Sequence, residues 1–237
     1  LQGQEDDLAG IDARLKEAFA EVKEAASVLS KARGKVAKKL AAEAQKHLAD
    51  LQMSAAKLDA VLEPVSLGTD PQSGELPADG ADHLELMLTA NPGEPARPLR
   101  KVASGGEMSR TMLALKTVLA AHDPVRTLVV FDEIDANVGG RLGDVLGQKL
   151  SALGETHQVL CVTHLPQVAS YATHHWTIRK STAGKRTATT VTKLAESPDR
   201  VEELALMLRG EARSDTTRKE AAEMLKAAGG SGRRSRS

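Results

Sequence analysis

Thr127-Leu-Val-Val-Phe-Asp-Glu133 is a short apolar run that ends in two adjacent acids. Burial in a sheet accounts for the apolar residues but not for the paired carboxylates. At the end of a strand, Asp132 could hold the water shell of a Mg²⁺ ion, which keeps most of its waters and takes few protein ligands. Glu133 could then polarise an attacking water. A strand followed by an acidic helix cap would look the same, so this segment alone decides nothing.

A second element is Ser104-Gly105-Gly106-Glu107, placed where an amphipathic helix begins, with Met108, Met112, Leu115 and Leu119 on one face. Two glycines oppose helix propensity. They let backbone approach a phosphate, while free N–H groups and the dipole of the helix N-terminus attract the anion. An ordinary Ser N-cap with glycine flexibility is the alternative. The third element is Val162-Thr163-His164, a histidine at the carboxyl end of another apolar strand. Strand ends are where α/β sheets place ligands, so an imidazole there could reach a γ-phosphate and its water.

The remaining chemistry-bearing residues read as structural. His174 and His175 are adjacent and point to opposite faces of a strand, and a single cysteine, Cys161, allows neither an internal disulfide nor a zinc cluster. Cys161 lies inside an apolar strand and reads as an inert core residue. Arg233, Arg234 and Arg236 belong to a segment, Gly229 to Ser237, with no apolar residue to bury, which predicts a disordered basic tail.

The elements that must hold the three motifs alternate. Helix is expected from Gly105 to Ala121 and from Gly139 to Leu153, strand from Thr127 to Phe131 and from Gln158 to Thr163. This alternation implies a parallel α/β sheet. A hairpin is expected from His175 to Leu194 around Gly184, then helices over Val201 to Leu208 and Thr216 to Ala228. Upstream, His83 to Thr89 alternates as a strand, and Asn91-Pro92-Gly93-Glu94-Pro95 reads as turn and loop.

Before these elements, Leu8, Ile11, Leu15, Ala18, Val22, Ala25, Leu29, Ala32 and Val36 alternate steps of three and four, a heptad seam. It continues through Leu40, Ala44, Leu48, Leu51, Ala55, Leu58 and Leu62 with successive four-residue steps, a stutter, and Gly34 beside it is expected to mark a bend. A helix of this span would be roughly 80 Å long, more than a compact domain could cover. The seam therefore predicts a coiled coil with a partner helix, ended by Pro64 and followed by an exposed loop from Gly68 to Gly80. The predicted organisation is residues 1–62 as one strand of an antiparallel coiled coil, 63–228 as a globular lobe, and 229–237 as the tail.

Bulk composition narrows the rest. The 237 residues are 41% hydrophobic, enough for a core. Lys+Arg and Asp+Glu both total 32, so no global basic field draws the chain to nucleic acid. The 2% aromatic content argues against base-stacking platforms. No apolar run approaches the roughly 18 residues of a membrane helix, and the cytoplasm is the expected location. The chain starts at Leu1, inside a helical pattern, which predicts a piece of a longer protein.

The order and spacing of the three motifs resemble the ABC ATPases: signature, Walker B, D-loop, switch histidine. Val102-Ala103-Ser104-Gly105-Gly106-Glu107-Met108-Ser109-Arg110, Phe131-Asp132-Glu133-Ile134-Asp135, Thr163-His164-Leu165-Pro166-Gln167-Val168-Ala169 and Asn91-Pro92-Gly93-Glu94 resemble most the RecN family, SMC-like ATPases of bacterial DNA repair. Ala136-Asn137-Val138-Gly139-Gly140 departs from the spelling expected after the D-loop. The resemblance implies the carboxyl-terminal lobe of an ABC/SMC-type head, a P-loop NTPase-like α/β sheet, behind a long coiled-coil helix. It implies ATP and Mg²⁺, with Asp132 toward the metal, Glu133 and His164 catalytic, and Ser104, Gly105, Gly106, Glu107 and Asp135 toward nucleotide.

No Walker A accompanies them: Gly34-Lys35 and Gly184-Lys185 lack a following Ser or Thr, and Leu29 and Arg179 stand where the leading glycine should. The resemblance places Walker A in an amino-terminal lobe, so this chain alone is expected to be inactive. It further implies a second head as homodimer partner, DNA with double-stranded ends as ligand, and a nucleoid-associated place in the cytoplasm. Two other readings are a transporter's nucleotide-binding subunit and a non-hydrolysing coiled-coil scaffold. The heptad region occupies the place where the former needs its P-loop, and intact Asp132, Glu133 and His164 count against the latter.

Overall fold

The computed structural model describes residues 2–65, 78–123, 125–183, 186–212 and 214–231. Two compact units emerge, one of residues 1–45 and 55–101, the other of 46–54 and 102–237.

Helix α1 (Gln2–Asp50), of which the residues up to Gln45 belong to the first unit, is unbroken through Gly34, where Leu62 would lie 3.8 Å from an added Cβ. The predicted seam divides. Ile11 and Val36 are more than half exposed, whereas Ala44, Leu48 and Leu51 are buried. Ala37 and Ala41, each one position beyond a predicted seam residue, are buried in place of Val36 and Leu40, so the buried stripe there is shifted by one residue. Strand β1 (Lys57–Pro64) pairs antiparallel with β2 (Asp82–Thr89), and β2 pairs with the short β3 (Arg97–Pro98). The ribbon is tied to α1 by Ser30 Oγ donating to Asp82 Oδ2 at 2.8 Å and by Gln45, whose amide donates to Ala56 O at 2.6 Å and accepts from Leu58 N at 3.1 Å. The turn after β2 forms as expected, with Glu94 N–H on Asn91 O and Gly93 at φ +88°.

The expected helix through Leu62 is corrected: α1 stops at Asp50, and residues 57–64 are strand. The stop is a Schellman motif, with Met53 N–H on Leu48 O, Gln52 N–H on Ala49 O and Gln52 left-handed at φ +56°. Leu58 and Leu62 satisfy both a helical step of four and two steps of a strand, and pairing with β2 resolves the ambiguity. The contacts group β1–β3 with residues 1–45 of α1.

In the second unit, α2 (Gly105–Leu119) precedes a βαβ unit. Its strands β4 (Leu128–Phe131) and β5 (Gln158–Cys161) are parallel, in register from Leu128↔Gln158 to Phe131↔Cys161, and α3 (Gly140–Leu153) connects them. Leu142, Leu146, Leu150 and Leu153, three or four apart, bury one face of α3; each fully buried leucine contributes roughly 1.5–3 kcal/mol. The parallel sheet is two-stranded among the described residues.

Helix α4 (Pro166–Ser170) starts beyond β5, and the hairpin β6 (His175–Ala183) and β7 (Arg186–Leu194) forms as expected. Helices α5 (Ser197–Arg209) and α6 (Asp215–Ser231) close around Ala169, Leu204, Ala205 and Ala221. The loop expected from Gly68 to Gly80 lies largely outside the described residues, as do Arg233, Arg234 and Arg236. The tail's first residues, 229–231, instead continue α6, since glycine weakens a helix without forbidding it. Among the described residues no helix is long and apolar enough to cross a membrane.

Candidate functional site

Three loops of the second unit meet where β4 and β5 end. Ser104 caps α2 in extended conformation (φ −86°, ψ 116°), its Oγ accepting from Glu107 N–H at 3.4 Å. Gly105 is exposed and Gly106 buried. Their lack of side chains serves the chain's own packing. A Cβ on Gly105 would stand 2.3 Å from Glu133 Oε2, and one on Gly106 would stand 3.2 Å from Ala136 Cβ and 3.3 Å from Glu133 O. The Glu133 carboxylate thus lies against the first residue of α2, at the positive end of the helix.

Asp132 and Glu133 are both exposed at the end of β4. Asp132 Oδ1 accepts Glu133 N–H at 2.9 Å, and Asp132 O accepts the Ser109 hydroxyl at 2.8 Å. Glu133 sits at φ +56°, a left-handed conformation costly for a residue with a Cβ, and its carbonyl accepts Ala136 N–H at 3.0 Å. Strain of this kind persists where surrounding contacts over-determine the backbone, and it clusters at functional sites. The contacts here are Ser109 and Arg110 of α2, the latter donating through one Nη to Ile134 O and Ala136 O, each at 3.3 Å.

Asp135, expected from the resemblance to contact nucleotide, is 3% exposed and faces inward. Its Oδ2 accepts the Thr163 hydroxyl, His164 N–H at 2.8 Å and, at 3.1 Å, His164 Nδ1. The buried carboxylate therefore orients the exposed histidine instead of reaching out itself. The sequence brings Ser104, Gly105, Glu133, Asp132 and His164 to one rim and puts Asp135 beneath it. Ser109, Arg110 and Thr163 were legible only as letters of the resemblance, because their roles depend on backbone carbonyls and a carboxylate distant in sequence.

Cys161, in β5, is walled off chemically: burial, and then the charges of Asp135 and Asp132, push its thiol up to about 12. His175 is half-buried with Nδ1 unpartnered; burial and then Arg200 lower its pKa. Among the described residues no cluster of three or more His, Cys, Asp or Glu could hold a metal. Mg²⁺ bound mainly by water and substrate phosphates needs only one or two carboxylates, and exposed Asp132 is a hard oxygen donor of that kind.

The class comes first from the fold. The chain is similar to the Smc head domain with a coiled coil and joint from Pyrococcus yayanosii, with a TM-score of 0.53 and 17% identity, covering 94% of this chain and 36% of that one. The fold is that of an Smc head domain with a coiled coil. No protein-family model matches the chain.

Sequence relatives then narrow it. The chain is 47% identical over 148 residues to the DNA repair protein RecN of Treponema pallidum (62% of this chain, 26% of that protein). It is 48% identical over 149 residues to RecN of Streptomyces coelicolor (63% and 26%) and 47% identical over 171 residues to RecN of Mycobacterium bovis (70% and 28%). This chain is a relative of the RecN proteins, and it spans about a quarter of their length.

Proposed function

We propose that this chain is the carboxyl-terminal part of an SMC-like ATPase that binds and hydrolyses ATP between two heads in the recombinational repair of DNA double-strand breaks. The observation that carries the reading is the convergence of the α2 N-terminus, the Asp132–Glu133 turn and His164 on one rim. In the working protein, Asp132 holds the Mg²⁺ that accompanies ATP, and the ion supplies charge neutralisation on the phosphates. Glu133 orients and polarises water, and His164, held by Asp135, faces the same phosphates. Ser104 and Gly105 present the α2 N-terminus to nucleotide held by the opposite head.

Two surfaces support an incomplete assembly. Leu128, Val130, Leu160 and Val162 share one face of the β4–β5 pair and are 48–60% exposed, as expected of a face covered by an amino-terminal lobe carrying Walker A. The exposed seam of α1 suits the partner helix of an antiparallel coiled coil. DNA ends as ligand and a nucleoid-associated, cytoplasmic location belong to the same proposal, which the likeness to DNA repair proteins supports. The test is to supply the amino-terminal lobe and measure ATP hydrolysis with and without linear DNA. Turnover that depends on both lobes supports the proposal, and ATP-independent association with no turnover would mark a scaffold instead.

A further inference from the structure

We propose that Arg110 is a positioning residue of the ATPase site, holding the acidic turn and, through it, His164 in register with the start of α2. This rests on the proposed function. The guanidinium donates to Ile134 O and Ala136 O, the two carbonyls that flank Asp135 in sequence. Asp135 in turn accepts from the Thr163 hydroxyl and from His164 N–H, and its Oδ2 lies beside His164 Nδ1. The connection runs from the helix that faces the opposite head to the histidine that faces the chain's own nucleotide.

Three features favour positioning over generic packing. The side chain is about half withdrawn from water, and burial lowers its pKa while the charge of Glu107 opposes that. Its Nε is buried with no partner, so the fold accepts the desolvation cost of a guanidinium for two peptide carbonyls. The turn it grips contains Glu133 in the left-handed region, a conformation that relaxes unless held. Both bonds come from a single Nη, whose two N–H donors are fixed in the guanidinium plane, whereas the donors of an ammonium rotate on a flexible stem. Gly106 makes room, since a Cβ there would stand 3.2 Å from the Arg110 Nη.

The experiment uses the protein reconstituted with its amino-terminal lobe and compares Arg110→Met and Arg110→Lys with the parent. Thermal midpoint, ATP affinity, the KM for ATP and kcat per ATP-binding head are measured. Misplacing reacting groups by about 1 Å costs up to about a hundredfold in rate, so kcat falls about tenfold or more in both variants with KM within about twofold. Retained midpoint and affinity show that the loss is not unfolding. A parental kcat in Arg110→Met overturns the proposal, and a parental kcat in Arg110→Lys overturns the need for a planar donor. If Arg110→Met does not fold, Ser109→Ala, which frees Asp132 O, reads the same turn. A fall in its kcat supports the proposal and a parental value counts against it. Absence of turnover in the parent would strike the proposed function itself and is seen before any variant is compared.

Discussion

Gly105→Ala separates stability from turnover at this site. The added Cβ would meet Glu133 Oε2 at 2.3 Å, and the next nearest atoms, Glu133 Cδ and Cβ, at 3.4 and 3.7 Å. Only the end of one flexible side chain is in the way, and it must retreat by about 1 Å to reach ordinary van der Waals separation. Gly105 opens α2, where alanine is a better helix former than glycine by up to about 1 kcal/mol. The thermal midpoint should therefore move by no more than about 2–4 °C. Turnover should not survive as well: displacement of about 1 Å at a water-polarising carboxylate can cost about a hundredfold.

Gly106→Ala is the control. Its Cβ would press on Ala136 Cβ at 3.2 Å and on the Glu133 carbonyl at 3.3 Å, so backbone must shift, at a cost of about 1–3 kcal/mol. The assay is a melting curve of the reconstituted protein beside steady-state ATP hydrolysis. Parental turnover in Gly105→Ala would refute the argument that this contact places Glu133 for catalysis.

Ser104→Arg should spare ATP binding to one head and abolish ATP-dependent dimerisation, because a bulky cation at the α2 N-terminus opposes the dipole that favours an anion; parental dimerisation on a sizing column would contradict the trans contact. His175 has a folded-state pKa below its ordinary 6.5, so the unfolded chain binds the proton more readily. Its contribution to stability is therefore full above about pH 6.5 and lost as pH falls through the folded value, and His175→Gln should flatten a melting profile between about pH 7 and pH 5. Cys161, with its thiol at about 12, should resist alkylation at pH 8 in the native protein and react promptly in denaturant, as mass spectrometry of the labelled chain would read.

The elements around the site were readable because local pattern and tertiary packing agree there. β4, β5, α2 and α3 each lie within a few residues of their expected bounds, and the hairpin follows from two apolar-polar runs about a glycine. The root of α1 was not readable, because a left-handed Gln52 ends the helix where a glycine would have announced it. β1 was hidden by Leu58 and Leu62, whose spacing serves either period. At the site, sequence nominates Asp132, Glu133 and His164 by residue type and place. It cannot reveal that Asp135 turns inward, because burial of a carboxylate is decided by Thr163 and His164, almost thirty residues on. Nor does it reveal that Gly105 accommodates Glu133, since a glycine before a helix reads equally as a phosphate cradle.

The most direct test of the account is Glu133→Gln in the reconstituted protein, measured as ATP binding, ATP-dependent head dimerisation and hydrolysis in one preparation. Glutamine keeps the shape and removes the carboxylate that polarises water. Retained binding, accumulation of ATP-bound dimers and loss of turnover are expected. Hydrolysis at the parental rate would contradict the account, since neither the Asp132–Glu133 turn nor the rim built around it could then be the catalytic centre.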